Sequence, residues 1–300
     1  MNDSPRGLLL AVTAYVLWGL FPLYWPLLQP AGALEILSHR IVWSGATMLV
    51  VITVMRRWSR VRTIFADPRT LGFLTAGAAL ISVNWLVYIW GVNHDRVVEA
   101  SLGYFINPLV TMLLGVIVLS ERLRRWQWVA LAIGFVAVVI LTLDYGALPW
   151  VALTLAFTFG TYGLAKKKAD TGAIESLTVE TVTLLPFAAL WIGYLVWAGD
   201  SSFGFGEQSH SWLFIVAGLV TAVPLVLFGA AATRVPLVVL GIVQYIAPVM
   251  QFAIGLVVFE EPMTPLSWVG FGVVWLALSI FTVEALTHRR RHLVPVEPVV

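Results

Sequence analysis

Ten stretches of about 20 largely apolar residues fill this chain, and that is the length a helix needs to cross a ~30 Å hydrocarbon core. The sequence predicts spans at Gly7–Leu28, Leu34–Met55, Thr70–Val92, Val98–Leu119, Trp126–Leu143, Ala147–Ala165, Ile174–Ala198, Ser211–Thr233, Pro236–Phe259 and Leu266–Leu286. Turn signals part them, such as Gln29-Pro30-Ala31-Gly32, Asp144-Tyr145-Gly146 and Glu260-Glu261-Pro262. No connection has room for a soluble domain, so function must live among the helices. Only 11% of residues are charged and 60% are hydrophobic, against roughly 25% charged in a soluble domain. The expected class is an all-α integral membrane protein. The first apolar stretch is too long for a signal-peptide core and lacks a small-x-small cleavage site, so it reads as an uncleaved helix.

Lysine and arginine placement sets the expected orientation. With a cytoplasmic N-terminus, the inside segments hold Arg6, Arg56, Arg57, Arg60, Arg62, Arg69, Arg122, Arg124, Arg125, Lys166, Lys167, Lys168, Arg234, Arg289, Arg290 and Arg291. Those are sixteen of the 18 basic residues; Arg96 alone falls outside, and Arg40 lies within a span. Both termini are expected to be cytoplasmic, in a multi-pass protein of the cytoplasmic membrane. The Arg289–Arg291 run then meets lipid head groups, and a net charge of +2 gives no reason to expect nucleic acid.

The chain also repeats itself. An offset of 140 pairs Pro108 with Pro248, Gly115 with Gly255, Glu121 with Glu261 and Trp128 with Trp268 without a gap. The same offset pairs Glu35 with Glu175 and Arg40 with Glu180, while 141 pairs Trp18-Gly19 with Phe159-Gly160. The expected domains are five-helix repeats at 1–145 and 146–288, followed by a tail at 289–300. Five helices is an odd number, so the second repeat enters the membrane from the opposite side, the inverted-topology plan of secondary transporters.

Charged side chains at mid-span cost about 2.5–3.5 kcal/mol on insertion scales and should face a cavity or a partner. Arg40 lies roughly 9 Å inside its helix, so it lines a cavity or snorkels outward. Glu180 is matched to it in the other half, about 12 Å away in depth, so no direct ion pair is implied. Burial disfavours the charged form of any carboxylate, which makes Glu180 the candidate for loading and releasing a proton. Arg40 stays charged and suits an anionic group. His39, one turn from Glu35, completes the expected coupling set or caps Glu35. Trp18, Asn84, Tyr88, Tyr104, Asn107, Tyr162, Gln244 and Tyr245 recur at mid-span, several beside a helix-interrupting Pro or Gly. Each has a bland reading as helix–helix glue; together they form the expected substrate cavity between the halves. Its aromatic faces and few amides suit a small, partly apolar solute.

The catalytic and metal patterns are missing: no His-Glu-x-x-His, no Gly-x-Ser-x-Gly, no P-loop, no clustered ligands and no Cys. No enzyme activity, cofactor or metal is expected. Without a nucleotide site, uphill transport must use an ion gradient, with protons as the candidate coupling ion.

The stretch Ala100-Ser101-Leu102-Gly103-Tyr104-Phe105-Ile106-Asn107-Pro108-Leu109 resembles a signature of the RarD branch of EamA-type permeases, in the drug/metabolite transporter superfamily. So do Glu35–Arg40, Asn84-Trp85-Leu86, the Glu180 to Pro186 segment, Ala230–Arg234 and Gln244-Tyr245-Ile246 with Pro248. The resemblance runs from about Gly7 to Arg291. It implies ten helices in two inverted bundles and a permease that moves small metabolites or drugs, usually outward. Ala247 stands where the first half has Asn107, so the half-sites are chemically unequal. The competing expectation is a channel-like or non-transporting regulatory membrane protein.

Overall fold

The computed structural model describes residues 5–120, 122–204, 211–232, 234–235 and 237–293, and its regular elements among them are all helical. Hydrocarbon offers backbone groups no partner, so each segment must satisfy its own. In chain order the helices are α1 (Pro5–Gly19), α2 (Phe21–Tyr24, running into a 3-10 turn at Trp25–Leu28), α3 (Ala33–Val54), α4 (Trp58–Ala66) and α5 (Pro68–Val92). There follow α6 (Val97–Leu119), α7 (Arg125–Tyr145), α8 (Trp150–Ala169), α9 (Ala173–Ala198) and α10 (Ser211–Ala232). The last are α11 (Leu237–Val243), α12 (Ile246–Val257) and α13 (Pro265–Leu293). The expected repeat partner of Glu261, Glu121, lies outside the described residues, as do Thr233, Pro236 and the tail beyond Leu293.

Among the described residues, eight helices are long and apolar enough to cross a membrane. The Pro5–Gly19 and Phe21–Leu28 pieces make a ninth if their 43° bend lies within one span. The expectation of ten meets its shortfall at α8, whose last turn carries Lys166, Lys167 and Lys168. These three cations lower its average hydropathy although it has 20 residues. The chain is an all-α, multi-pass membrane protein.

Two interruptions fall where the sequence expects them. The first apolar stretch bends at Leu20, just before Phe21-Pro22. The ninth breaks at Gln244-Tyr245, where the α12 N-cap, Tyr245, makes no side-chain capping bond. The interruption expected at Asn107-Pro108 does not occur: Pro108, like Pro186 and Pro224, sits inside a continuous helix. One element is unexpected. Residues 56–69 read as a basic loop, but Trp58–Ala66 is helical and buries Val61 and Ile64 against Ile52, Leu74 and Val179. At nine residues it is too short to stand alone; that apolar pair docks it. Asp67 then starts α5, accepting from the Arg69 amide at 3.1 Å and the Thr70 hydroxyl at 2.5 Å. These bonds, the Thr70 one foremost, hold the Asp67 carboxyl below the usual carboxylate range.

Packing pairs α5 with α8 and α1 with α10; α6 faces α12, α3 faces α9, and α7 faces α13. Small residues set the closest approaches. A Cβ at Gly103 of α6 would stand 2.7 Å from the Ala152 carbonyl oxygen of α8. One carboxylate bridges distant parts of the chain. Glu261, in the turn after α12, accepts from the Val97 amide and, at 2.9 Å, from the Val98 amide at the start of α6. Burial pushes its carboxyl above the usual range, and those two amides pull it back.

Candidate transport site

Asn84 on α5 is the centre of a polar constellation in the helix interior. It is 1% exposed. Its amide donates to the Leu155 carbonyl at 2.9 Å and the Thr158 hydroxyl at 3.0 Å on α8. Its oxygen accepts from the Tyr104 hydroxyl at 3.2 Å on α6. Three helices are thus pinned at one amide, which answers the need of a buried amide for partners.

Aromatic rings extend this point into a band. Tyr88, one turn from Asn84, meets Tyr104 edge-on at 5.6 Å. Tyr104 meets Phe159 at 6.1 Å, and Phe159 meets Tyr162 at 6.1 Å. The band ends at Glu180, which accepts from the Tyr162 hydroxyl at 3.1 Å. Four of the eight expected substrate residues, Asn84, Tyr88, Tyr104 and Tyr162, therefore come together with one expected coupling residue.

The other four lie apart. Trp18 packs on Tyr15 at 5.2 Å and Phe228 at 5.7 Å, and its carbonyl accepts from Gln251 at 3.1 Å. Asn107 accepts from Thr111 on its own helix at 3.5 Å. Gln244 donates to the Gly241 carbonyl at 3.0 Å. Tyr245 packs against the core formed by α6, α7, α12 and α13. Among the described residues, no hydrogen bond or ring contact links these four to the band. Two cavities flank the site: a groove of about 340 Å³ between Leu17, Phe21 and Tyr24 on one side and Val220, Val223 and Pro224 on the other, and a pocket of about 110 Å³ beside Thr111 and Gly160. None of the eight lines either.

The intramembrane charges are held in two different ways. Glu180 is 2% exposed and forms an ion pair with Lys166 at 2.9 Å; Ser176 donates to the same oxygen at 3.0 Å. Lys166 also reaches the Ser176 hydroxyl. Arg40 is 3% exposed and has no carboxylate partner among the described residues. Its Nε donates to Thr221 at 2.8 Å, and its guanidinium carbon lies 3.9 Å from the Trp85 ring centroid, 5.0 Å from Trp25 and 5.6 Å from Phe21. The side chain does not snorkel to its own end of the bundle. His39 packs on Phe214, yet Arg40 reaches Thr221, seven residues farther along α10. That is about 10 Å deeper.

His39 does not cap Glu35. Its ring stacks on Phe203 at 4.8 Å and lies 4.6 Å from Phe214. Glu35 instead accepts from the Ser202 amide at 2.7 Å and the Ser201 hydroxyl at 3.3 Å, just past α9. Its repeat partner Glu175 pairs with Arg57 at 3.1 Å and Arg60 at 3.4 Å, just past α3. Each glutamate at the start of one helix ties down the chain that leaves the other.

Sequence reasoning missed Lys166, Phe159, Thr221 and Gln251. Lys166 was absorbed into a three-lysine run that reads as an inner-surface anchor. The signal that finds it is the 141-residue offset, which carries Phe21 onto Tyr162 and Trp25 onto Lys166.

A family model described as the EamA-like transporter family matches residues 5–143. Protein RarD of Streptomyces exfoliatus is 52% identical over 293 residues, covering 97% of this chain and 92% of that one. The uncharacterized transporter YojE of Bacillus subtilis (strain 168) is 42% identical, covering 96% of this chain and 97% of that one. A crystal structure at 17% identity superposes with a TM-score of 0.62, covering 93% of this chain and 98% of its own, and so shares the fold. At such identity over nearly the whole chain, the chain belongs to the RarD branch of the EamA-like transporter family, a family of membrane transporters.

Proposed function

We propose that this chain is a ten-span secondary transporter of the cytoplasmic membrane, with both termini cytoplasmic and inverted repeats at 1–145 and 146–288. It exports a small, partly apolar solute by alternating access, with protons as the coupling ion. The observation that carries this reading is the reciprocal packing. The third apolar segment of the first half lies on the first of the second half (α5 on α8), and the third of the second lies on the first of the first (α10 on α1). The matched ties of Glu35 and Glu175 support the same pseudo-two-fold relation. Two halves of opposite sense can exchange conformations, giving inward-open and outward-open states of similar energy.

Trp18, Asn84, Tyr88, Tyr104, Asn107, Tyr162, Gln244 and Tyr245 line the solute path in this reading, with Glu180, Arg40 and His39 in coupling. Asn84 and Tyr104 bond each other here, and alternating access exposes them in turn. Tyr104→Ala, Asn107→Ala and Gln244→Ala should each lower efflux about tenfold while protein level stays within about twofold; one lost solute hydrogen bond plus lost ring contact is worth roughly that factor. Comparing extracellular metabolites of cells with and without the protein, and with each variant, measures it. Unchanged efflux in all three removes the proposed path. A channel would pass solute without gradient coupling, which proteoliposomes with an imposed pH difference separate from a transporter.

The topology has its own check. Reporter fusions at Lys167 and Gly204 should report the inside and the outside respectively, because basic residues stay on the cytoplasmic side of short loops. Both reporters on one side would break the ten-span reading between them.

A further inference from the structure

Arg40 and Glu180 occupy matched places in the repeat, but among the described residues only Glu180 has a counterion. Offsets of 140 and 141 carry Arg40 onto Glu180, Phe21 onto Tyr162 and Trp25 onto Lys166. In the second half Tyr162 and Lys166 both bind Glu180. In the first half the equivalent Phe21 and Trp25 offer Arg40 only ring faces. A desolvated guanidinium with no opposite charge is costly, and ring faces return only about 2 kcal/mol of that cost.

The hydrogen bonds tell the same story. Arg40 Nη1, the Tyr88 hydroxyl and Trp25 Nε1 are buried and have no partner among the described residues. All three are donors, or can donate; Trp25 and Tyr88 belong to one buried cluster, and the Trp25 ring centroid lies 5.0 Å from the Arg40 guanidinium carbon. Tyr104 and Trp85 pack against the same cluster, and Tyr88 meets Tyr104 edge-on at 5.6 Å. Native interiors rarely leave three such groups unpaired in one place. The groove of about 340 Å³ abuts this cluster, since Phe21 is both one of its walls and one of the rings about Arg40. Its lining is almost wholly apolar.

We infer that Arg40, Tyr88 and Trp25 form the binding site for the carboxylate of a monoanionic solute whose apolar body lies in the groove beside Phe21. One cation without a second nearby selects a single negative charge. A carboxylate supplies acceptors for the guanidinium, the phenol and the indole, and bidentate contact with guanidinium is its favoured geometry. The apolar groove excludes sugars and multiply charged metabolites. This inference rests on the transporter reading, and it names the class of solute.

The test uses purified full-length protein in neutral detergent at pH 7, with benzoate, phenylacetate and hexanoate as probes and their primary amides as matched neutral controls. The acids should raise the thermal midpoint by a few degrees at saturation, as a ligand of the folded state does; the amides should not. Arg40→Gln should weaken acid binding by about 100-fold and Tyr88→Phe by about tenfold, the factors for a charged and a neutral hydrogen bond. Tyr88→Phe removes a hydroxyl with no hydrogen-bond partner among the described residues, so its own midpoint should match wild type. This keeps the test valid if Arg40→Gln fails to fold. Three results each overturn the inference: amides binding as well as acids, no acid shifting the midpoint, or Tyr88→Phe binding acids at wild-type strength. Efflux confined to neutral or cationic solutes also overturns it while leaving transport intact. Acid binding with no efflux of any solute removes the transport reading and leaves the anion site.

Discussion

Gly218→Ala should destabilise the folded protein by about 1–3 kcal/mol or more, the usual cost of overpacking. A Cβ there would stand 2.5 Å from the carbonyl carbon and oxygen of Trp43 and 2.7 Å from its Cβ. Those are backbone atoms of α3, and a backbone cannot swing aside as the end of a side chain can. The methyl must therefore push α10 off α3. The consequence reaches the transport site, because Thr221 follows Gly218 by one turn and accepts the Arg40 bond at 2.8 Å. Gly193→Ala is the control. Nothing lies within 4 Å of a Cβ there, and α9 should gain up to about 1 kcal/mol of helix propensity. Thermal unfolding of both variants in detergent measures the contrast. Equal midpoints would show that α3 and α10 separate without cost, against the packing described here.

Glu180→Gln should cut uphill transport about tenfold or more at a fixed pH difference and flatten what remains across pH. The amide keeps the shape and the Tyr162 contact but removes both the charge and the titratable proton. Lys166, its partner at 2.9 Å, then faces a neutral group. In the proposed cycle the carboxylate pairs with Lys166 in the arrangement seen here and gives up that partner for a proton in the state that separates α8 from α9. A double variant with Lys166→Met distinguishes lost coupling from lost stability. Breaking one side of a buried pair costs about 3–5 kcal/mol, whereas replacing both sides is often neutral. Recovered stability without recovered pH dependence is the expected result. Wild-type pH dependence in Glu180→Gln itself would falsify the carrier role.

Much of the architecture was legible because the bilayer is a severe filter. A run such as Leu34–Met55 has one outcome in hydrocarbon, a helix, and the observed Ala33–Val54 differs by one residue at each end. The helix break at Gln244-Tyr245 was readable for a similar reason, since glycine and proline punctuate that segment. The nine-residue α4 was not readable, because Val61 and Ile64 acquire meaning only against Leu74 and Val179. The sixth segment, expected as a span at Ala147–Ala165, does form the helix Trp150–Ala169, but the three lysines of its last turn leave it short of the apolar character of the others.

For the site, residue type and depth picked out Arg40, Glu180, Asn84 and the tyrosines before any partner was known. Composition and period determine which groups stand inside the membrane, since transfer cost depends on the residue and its depth alone. Partnership depends on rotation and tilt of whole helices. Only tertiary packing turned Asn84 toward Tyr104 and Leu155 and left Trp18 to Phe228 and Gln251. The same packing gave Glu180 a lysine and left Arg40 among rings. Sequence by itself determined that Arg40 and Glu180 stand within apolar spans, 140 positions apart. The structure alone decided that, among the described residues, Glu180 has a counterion and Arg40 has none, because a counterion is a matter of a few ångströms that residue periodicity does not encode.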